Sequence, residues 1–340
     1  LTVPAGTLQT YQTIGNAEDF HDAAYMISPT ETPFLTMAKR LKADNRLHQW
    51  LTDQLADATS GNATIEGDDA AADTAIPALN LKNQCQLMDK VAFVSNTQEA
   101  VRSYGNVGSM SYQMMKRVKE LKRDLEAALV RNNAGTAGVA ASAALMASLE
   151  SWLAYSGQQA ATIQTANGTS VGSGTTGQTT PGFTTANGYP VTAPTDSTAT
   201  GSMSETTLKI CIANTYTQGG DPRVILVPPL VKQKISTAFA GIATRFREVK
   251  SRDQAQIVGG ADLYISDFGE HVIKVDRFMR PSILFGIDPD YIGVAFLQPI
   301  QQKPLASTGH ADKRMVWCQA TLVLQNPFAH FKIADINPAI

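Results

Sequence analysis

Four carboxylates crowd one short stretch of the chain: Glu66, Asp68, Asp69 and Asp73 lie in the small-residue run SGNATIEGDDAAADTA. Such a group can hold a hard cation through oxygen ligands, meet a basic patch on another chain, or simply keep a loop tip hydrated. The calcium-loop spacing D-x-[DN]-x-[DN]-G is absent, which favours the solvated tip and the intersubunit contact over the cation site. The histidines at 21, 48, 271, 310 and 330 include no pair at i, i+3 or i+4, so no helical metal pair arises from them. Asp267-Phe268-Gly269 spells the magnesium tripeptide of protein kinases. Its companions, a Gly-rich loop, V-A-I-K and H-R-D, are missing, and the tripeptide reads as a turn between two strands. Phosphate loops, nucleophile elbows and HExxH are also absent. Cys85, Cys211 and Cys318 are odd in number and far apart with no CxxC, so buried reduced thiols are expected, not zinc or a disulfide framework. The reading is therefore not an enzyme, with no catalytic residue, cofactor or metal.

The bulk composition points to partners. Charged residues make up 17% of the 340, against roughly 25% in an ordinary soluble protein. Either Thr, Ser, Asn and Gln supply the polar surface or other chains cover it. The formal net charge of −2 lacks the basic excess that gripping phosphate requires. No membrane-spanning run or signal peptide is read in the sequence.

Several elements follow from periodicity. Residues 1–36 look extended, punctuated by Pro4, Gly6, Gly15, Pro29 and Pro33, with a short helix predicted over 17–26. A strand over 46–53, the acidic tip, and a β-prone run over 78–95 make either a long hairpin, a poor independent unit in water, or an ordinary meander within a domain. Met110, Met114, Val118, Leu121, Leu125 and Leu129 recur at steps of three and four and predict a helix over 109–131. Lys116, Lys119, Lys122 and Arg123 alternate with Glu120, Asp124 and Glu126 on a charged face, with Lys116–Glu120 and Lys122–Glu126 at pair spacing. That face is either solvated or a subunit contact. A shorter helix is predicted over 141–155, then a Gly/Thr/Ser-rich stretch over 156–202 of linker composition. Ser202-Met203-Ser204-Glu205 resembles a capping box opening another helix. RVILV reads as a buried strand, 230–239 as a helix, and 262–266, 271–276, 282–288, 291–297, 314–325 and 330–334 as strands.

The order of these pieces carries a resemblance. The stretches are YMISPTETPF (25–34), HQW (48–50), VSNTQ (94–98), ELKRDLE (120–126), DFG (267–269), DRF (276–278) and PLASTG (304–309). Together they resemble the major capsid (major head) protein family of tailed bacteriophages. The resemblance implies an α+β tailed-phage major capsid fold. Its parts would be an N-terminal arm (1–42), an extended β-hairpin loop (43–95) and a peripheral domain with a long spine helix (96–155, helix 109–131). A Gly/Thr-rich insertion (156–203), an axial domain (204–300) and a return to the peripheral domain (301–340) would follow. It implies self-assembly into pentamers and hexamers of an icosahedral head shell that encloses double-stranded DNA without reading its sequence. Scaffold, portal and decoration proteins are implied partners, and assembly in the host bacterial cytoplasm is implied before the subunit joins the virion. Candidate intersubunit contacts are Trp50, Glu66, Asp68, Asp69, Asp73, Lys116 and Arg123. The alternative is an encapsulin-like bacterial nanocompartment shell around a cargo enzyme; the 156–202 stretch fits the phage reading better.

Overall fold

The computed structural model describes residues 4, 6–8, 27–53, 55–56, 58–69, 78–101, 108–153, 167–170, 187–194, 200–238, 247–250, 254–257 and 262–337. The helix expected over 17–26 and most of the 156–202 stretch lie outside the described residues.

A long helix on a four-stranded sheet forms the first layer pair. The sheet runs in the order β1 (Lys39–Lys42), β12 (Ile292–Pro304), β13 (Ala311–Leu324), β4 (Gln86–Ser95). β1 pairs parallel with β12, and the other neighbours are antiparallel. Helix α3 (Met110–Val130) starts where Ser109 accepts a hydrogen bond from the Tyr112 amide, satisfying a free helix-end donor. Its apolar stripe buries Met110, Met114, Leu121, Leu125 and Leu129. These share a core with Met88, Ala92 and Val94 of β4 and with Val316, Cys318, Ala320, Leu322 and Leu324 of β13.

The second layer is a mixed six-stranded sheet, ordered β5 (Asn167–Ser170), β14 (Phe331–Ala334), β11 (Leu284–Ile287), β6 (Val224–Val227), β10 (Gly269–Val275), β9 (Leu263–Ser266). Helices α5 (Glu205–Thr217) and α6 (Pro229–Ala238) cover one face, closing Leu208, Cys211, Ile212, Val231 and Ile235 over Ile225, Val227, Ile273, Leu284 and Phe331. Phe285, Ile287 and Leu226 face the other way into the core under α3. β6 and β11 are buried along their whole length, as expected of strands covered on both faces. Gly286 is required here: a Cβ would sit 1.9 Å from the Phe331 ring.

Two small two-stranded ribbons complete the description, β2 (Leu47–Thr52) with β3 (Leu79–Gln84) and β7 (Arg247–Lys250) with β8 (Gln254–Ile257). The run expected as one strand over 78–95 is two. The chain leaves the β2–β3 ribbon at Cys85, whose amide donates to Arg46 O at 2.8 Å, and enters the large sheet as β4.

Other expectations need correction. The helix expected over 141–155 is not continuous; among the described residues 141–153 only α4 (Leu149–Trp152) is helical. Thr136 bridges Leu145 and Val139 bridges Ser142, while Asn83 Oδ1 accepts from Ala147 N at 2.9 Å. These local bridges and the long-range Asn83 bond override the helix preference of an Ala-rich run. The cap of α5 is Ser204, which accepts from Thr207 N, and not Ser202. The strand expected to stop at 297 continues to Pro304, with register slips near Gln298. Two short helices, α1 (Pro33–Met37) and α2 (Asn96–Ala100), had no periodic signal.

Candidate assembly surfaces

The β2–β3 ribbon is fastened at its base and open at its tip. Trp50 Nε1 donates to Leu324 O at 2.7 Å, and Thr52 Oγ1 donates to Gln325 O at 2.6 Å. Trp50 also packs against Trp152, with ring centroids 5.7 Å apart, and against His48 at 5.9 Å. The buried Asn83 amide donates to both Ala147 O and Leu322 O. Beyond this anchor the chain turns at Gly67, whose φ of 86° lies in the left-handed region that glycine tolerates. Glu66, Asp68 and Asp69 are exposed there. Asp68 Oδ1 is used locally, accepting from Asp69 N. Among the described residues no cluster of three or more His, Cys, Asp or Glu has metal-binding geometry. Asp73 lies outside the described residues. In the same segment of the chain Leu51, Leu55 and Ile65 stand exposed, a signal that the acidic cluster alone did not give.

A second open surface lies on the four-stranded sheet, opposite α3. Leu87, Val91 and Phe93 of β4 alternate with the residues buried under the helix, and are 58%, 42% and 60% exposed. Cross-strand partners share a face, so Lys313, Met315 and Gln319 of β13 and Lys303 of β12 lie beside them. The Lys313 ammonium sits 5.0 Å from the Phe93 ring centre, a cation–π approach. The result is a row of apolar residues interrupted by the exposed carboxylate of Asp89, with positive charge at its Phe93 end.

The remaining predicted contacts separate. Lys116 is exposed on α3 next to exposed Met115. Arg123 is half-buried, its guanidinium carbon 5.6 Å from the Phe278 ring centre, so much of it is engaged within its own subunit. The expected pairs Lys116–Glu120 and Lys122–Glu126 do not form. Glu120 meets Arg117 at 2.5 Å, and Glu126 turns into the core. There its two oxygens accept from the amides of Phe34 and Leu35 at 2.7 and 2.9 Å. Burial pushes the Glu126 carboxyl up to about 7, aided by the Asp276 charge and opposed by those two hydrogen bonds.

The groups that could have been chemical are used structurally. The Asp267-Phe268-Gly269 turn joins β9 to β10. His271 Nδ1 meets Pro222 O at 2.7 Å and its Nε2 meets Ser266 Oγ at 2.7 Å, so the imidazole ties a turn to a loop. Cys85, Cys211 and Cys318 are buried, and burial pushes their thiols up to about 11, 12 and 11, far from thiolate reactivity. Arg223 is held by Asp288 and Asp290, and Lys39 of β1 reaches Asp290. This network fixes β1 to the loop before β12.

Known proteins share this arrangement. The SU10 major capsid protein family model matches residues 6–337. The major capsid protein of Escherichia phage Phieco32 is 33% identical over 127 residues, which is 37% of this chain and 36% of that relative. The aligned stretch thus spans about a third of the curated relative's length. Among solved structures, the Cyanophage A-1(L) capsid asymmetric unit matches with a TM-score of 0.62 at 12% identity, covering 96% of this chain and 98% of that one. Phage G gp27 major capsid proteins, solved with gp26 decoration proteins, match with a TM-score of 0.52 at 10% identity over 99% and 100%. At such identities the likeness speaks for the fold: an α+β chain of the kind that builds tailed-phage capsids. With nearly its whole length matched by one family model, this chain belongs to the SU10 major capsid protein family.

Proposed function

We propose that this chain is a shell-building subunit that closes into pentamers and hexamers of an icosahedral phage head. It encloses double-stranded DNA by containment, and its work is assembly and not catalysis. The observation that carries this reading is the pairing of two open surfaces on one subunit. The hairpin presents Leu51, Leu55 and Ile65 in the same segment as the acids Glu66, Asp68 and Asp69. The sheet face presents Leu87, Val91 and Phe93, with Asp89 among them, and Lys303 and Lys313 towards the Phe93 end. Apolar residues match apolar residues, and the hairpin acids meet the two lysines at the end of the row away from Asp89, so the hairpin of one copy suits the sheet face of the next. Repeated head-to-tail with a rotation of a fifth or a sixth of a turn between copies, such a contact closes into the rings of five and six proposed here.

In this reading residues 1–42 act as an arm, 43–95 as the extended loop, 96–155 and 301–340 as the peripheral domain with α3 as its spine, and 204–300 as the axial domain. The 156–203 stretch is an insertion. Scaffold, portal and decoration proteins are partners in building the head, which forms in the host bacterial cytoplasm. The nanocompartment alternative has less support, since the matched family is one of phage major capsid proteins.

Removing residues 58–75 tests the reading. The shortened chain is expected to keep its circular-dichroism spectrum and its unfolding transition but to stop short of closed shells. Wild-type shells with wild-type heat resistance from that deletion would remove the hairpin from the assembly account.

A further inference from the structure

Helix α3 carries two stripes. Its apolar stripe faces the core, while on the opposite side Tyr112, Lys116, Lys119 and Arg123 recur at steps of four, three and four, with Lys122 beside them. The carboxylates of the same helix are already engaged. Glu120 pairs with Arg117, Asp124 with Lys90 of β4 at 2.6 Å, and Glu126 accepts from the Phe34 and Leu35 amides inside the core. Among the described residues no carboxylate pairs with Lys116, Lys119, Lys122 or Arg123. Lys116 and Lys122 are exposed, and Lys119 and Arg123 are half-buried. Arg123 lies over the Phe278 ring, and its buried Nε has no hydrogen-bond partner. A chain of net charge −2 thus gathers four uncompensated cations within about two helical turns. We propose that this ridge of α3 is a contact surface for the phosphate backbone of duplex DNA.

The ridge has the chemistry of backbone contact and not of base reading. Lysine ammoniums on flexible stems act as point charges that meet phosphates without fixing a sequence. From Lys116 to Arg123 the cations span about 10 Å of helix, against a duplex that carries roughly one negative charge per 1.7 Å of its axis. Several phosphates therefore come within reach at once. A protein partner suits the ridge less well, because the cores of protein interfaces are depleted of lysine and rich in apolar side chains. On α3 only Met115 is a large apolar residue standing exposed. The acidic hairpin tip of a neighbour is already matched by Lys303 and Lys313 in the contact proposed above.

The choice of duplex DNA as the polyanion rests on the shell reading above and adds to it. Containment alone needs no contact. A cationic ridge holds the outermost duplex against the wall and turns the α3 side of each subunit towards the lumen. Each subunit contributes a weak contact, and repetition over many copies adds these contacts along one duplex.

Fluorescence anisotropy of a labelled duplex of arbitrary sequence, titrated with the unassembled full-length chain, tests it. Between about 50 and 200 mM salt the affinity is expected to fall by about 40- to 150-fold, the dependence for three or four neutralised phosphates. The triple variant Lys116→Gln, Lys119→Gln, Lys122→Gln is expected to bind at least about tenfold more weakly at low salt and to lose most of that dependence. Lys303→Gln with Lys313→Gln, on the other face of the sheet, is expected to leave both unchanged. No binding at low salt, or a triple variant that binds as the wild type does, would overturn the contact. So would a triple variant that keeps its DNA affinity and loses assembly, which would give the ridge to a neighbouring subunit. Because the chains are unassembled, failure to form shells leaves this result standing, and absent DNA binding leaves the shell reading standing.

Discussion

The Trp50 indole donates to the Leu324 carbonyl across 2.7 Å, joining the base of the hairpin to the end of the long strand β13. This bond and the Trp50–Trp152 ring contact tie the β2–β3 ribbon to the core beneath it. Trp50→Phe keeps most of the ring packing and loses the donor, and a net loss of about 1–2 kcal/mol is expected in denaturant unfolding. Trp50→Ala should cost about 3–5 kcal/mol and loosen the hairpin as well.

Gly286 faces the Phe331 ring across the β11–β14 pair. Gly286→Ala should destabilise the chain by about 3 kcal/mol or more, because a strand buried on both sides has nowhere to move. Adding Phe331→Leu should restore part of the loss, measured as a rise in the unfolding midpoint over the single variant. No recovery would place the strain elsewhere.

The sheet face separates folding from assembly. Leu87 and Phe93 are more than half exposed, so Leu87→Asp and Phe93→Asp should each change subunit stability by only about 0.5 kcal/mol. The same changes put a charge into the contact proposed for the neighbouring hairpin. Sedimentation velocity is expected to show the subunit peak growing at the expense of assembled material. Unchanged assembly by both variants would mean that this face stays open to solvent.

His330 and Glu126 oppose each other in acid. Burial lowers His330 to about 4 from 6.5 despite the nearby Asp288 charge, so the unfolded chain binds a proton that the fold refuses. Stability is lost as pH falls from about 6.5 to 4, by up to about 3 kcal/mol. Glu126 acts the other way: the fold binds its proton first, and stability rises as pH falls from about 7 to 4.5. The wild-type profile should therefore be nearly level between pH 7 and 4.5. Glu126→Gln, which leaves His330 unopposed, should lose a few kcal/mol over that range in unfolding experiments. A level profile from that variant would contradict the His330 assignment.

Much of the architecture was legible because it rests on local patterns. The six apolar residues of α3, the all-apolar strand VILV and the turn at Asp267-Phe268-Gly269 announce themselves by periodicity or by turn chemistry. What escaped depends on partners distant in the chain. Glu126 reads as one more charge on a solvated helix face, and only the folding of Phe34 and Leu35 against it turns it into a buried cap. Residues 141–155 read as one helix because Leu145, Leu149, Trp152 and Leu153 would share one side of it, yet Asn83, more than fifty residues earlier, holds the Ala147 amide otherwise. The acidic tip was visible at Glu66, Asp68 and Asp69. Its complement was not, since Leu87, Val91 and Phe93 alternate in a strand whose outer face is known only once α3 takes the inner one.

Electron microscopy of the purified full-length chain tests the central claim most directly. Closed, faceted shells built from rings of five and six subunits are the expected result. A monodisperse population of single chains or small oligomers, under conditions where the chain is folded, would contradict it.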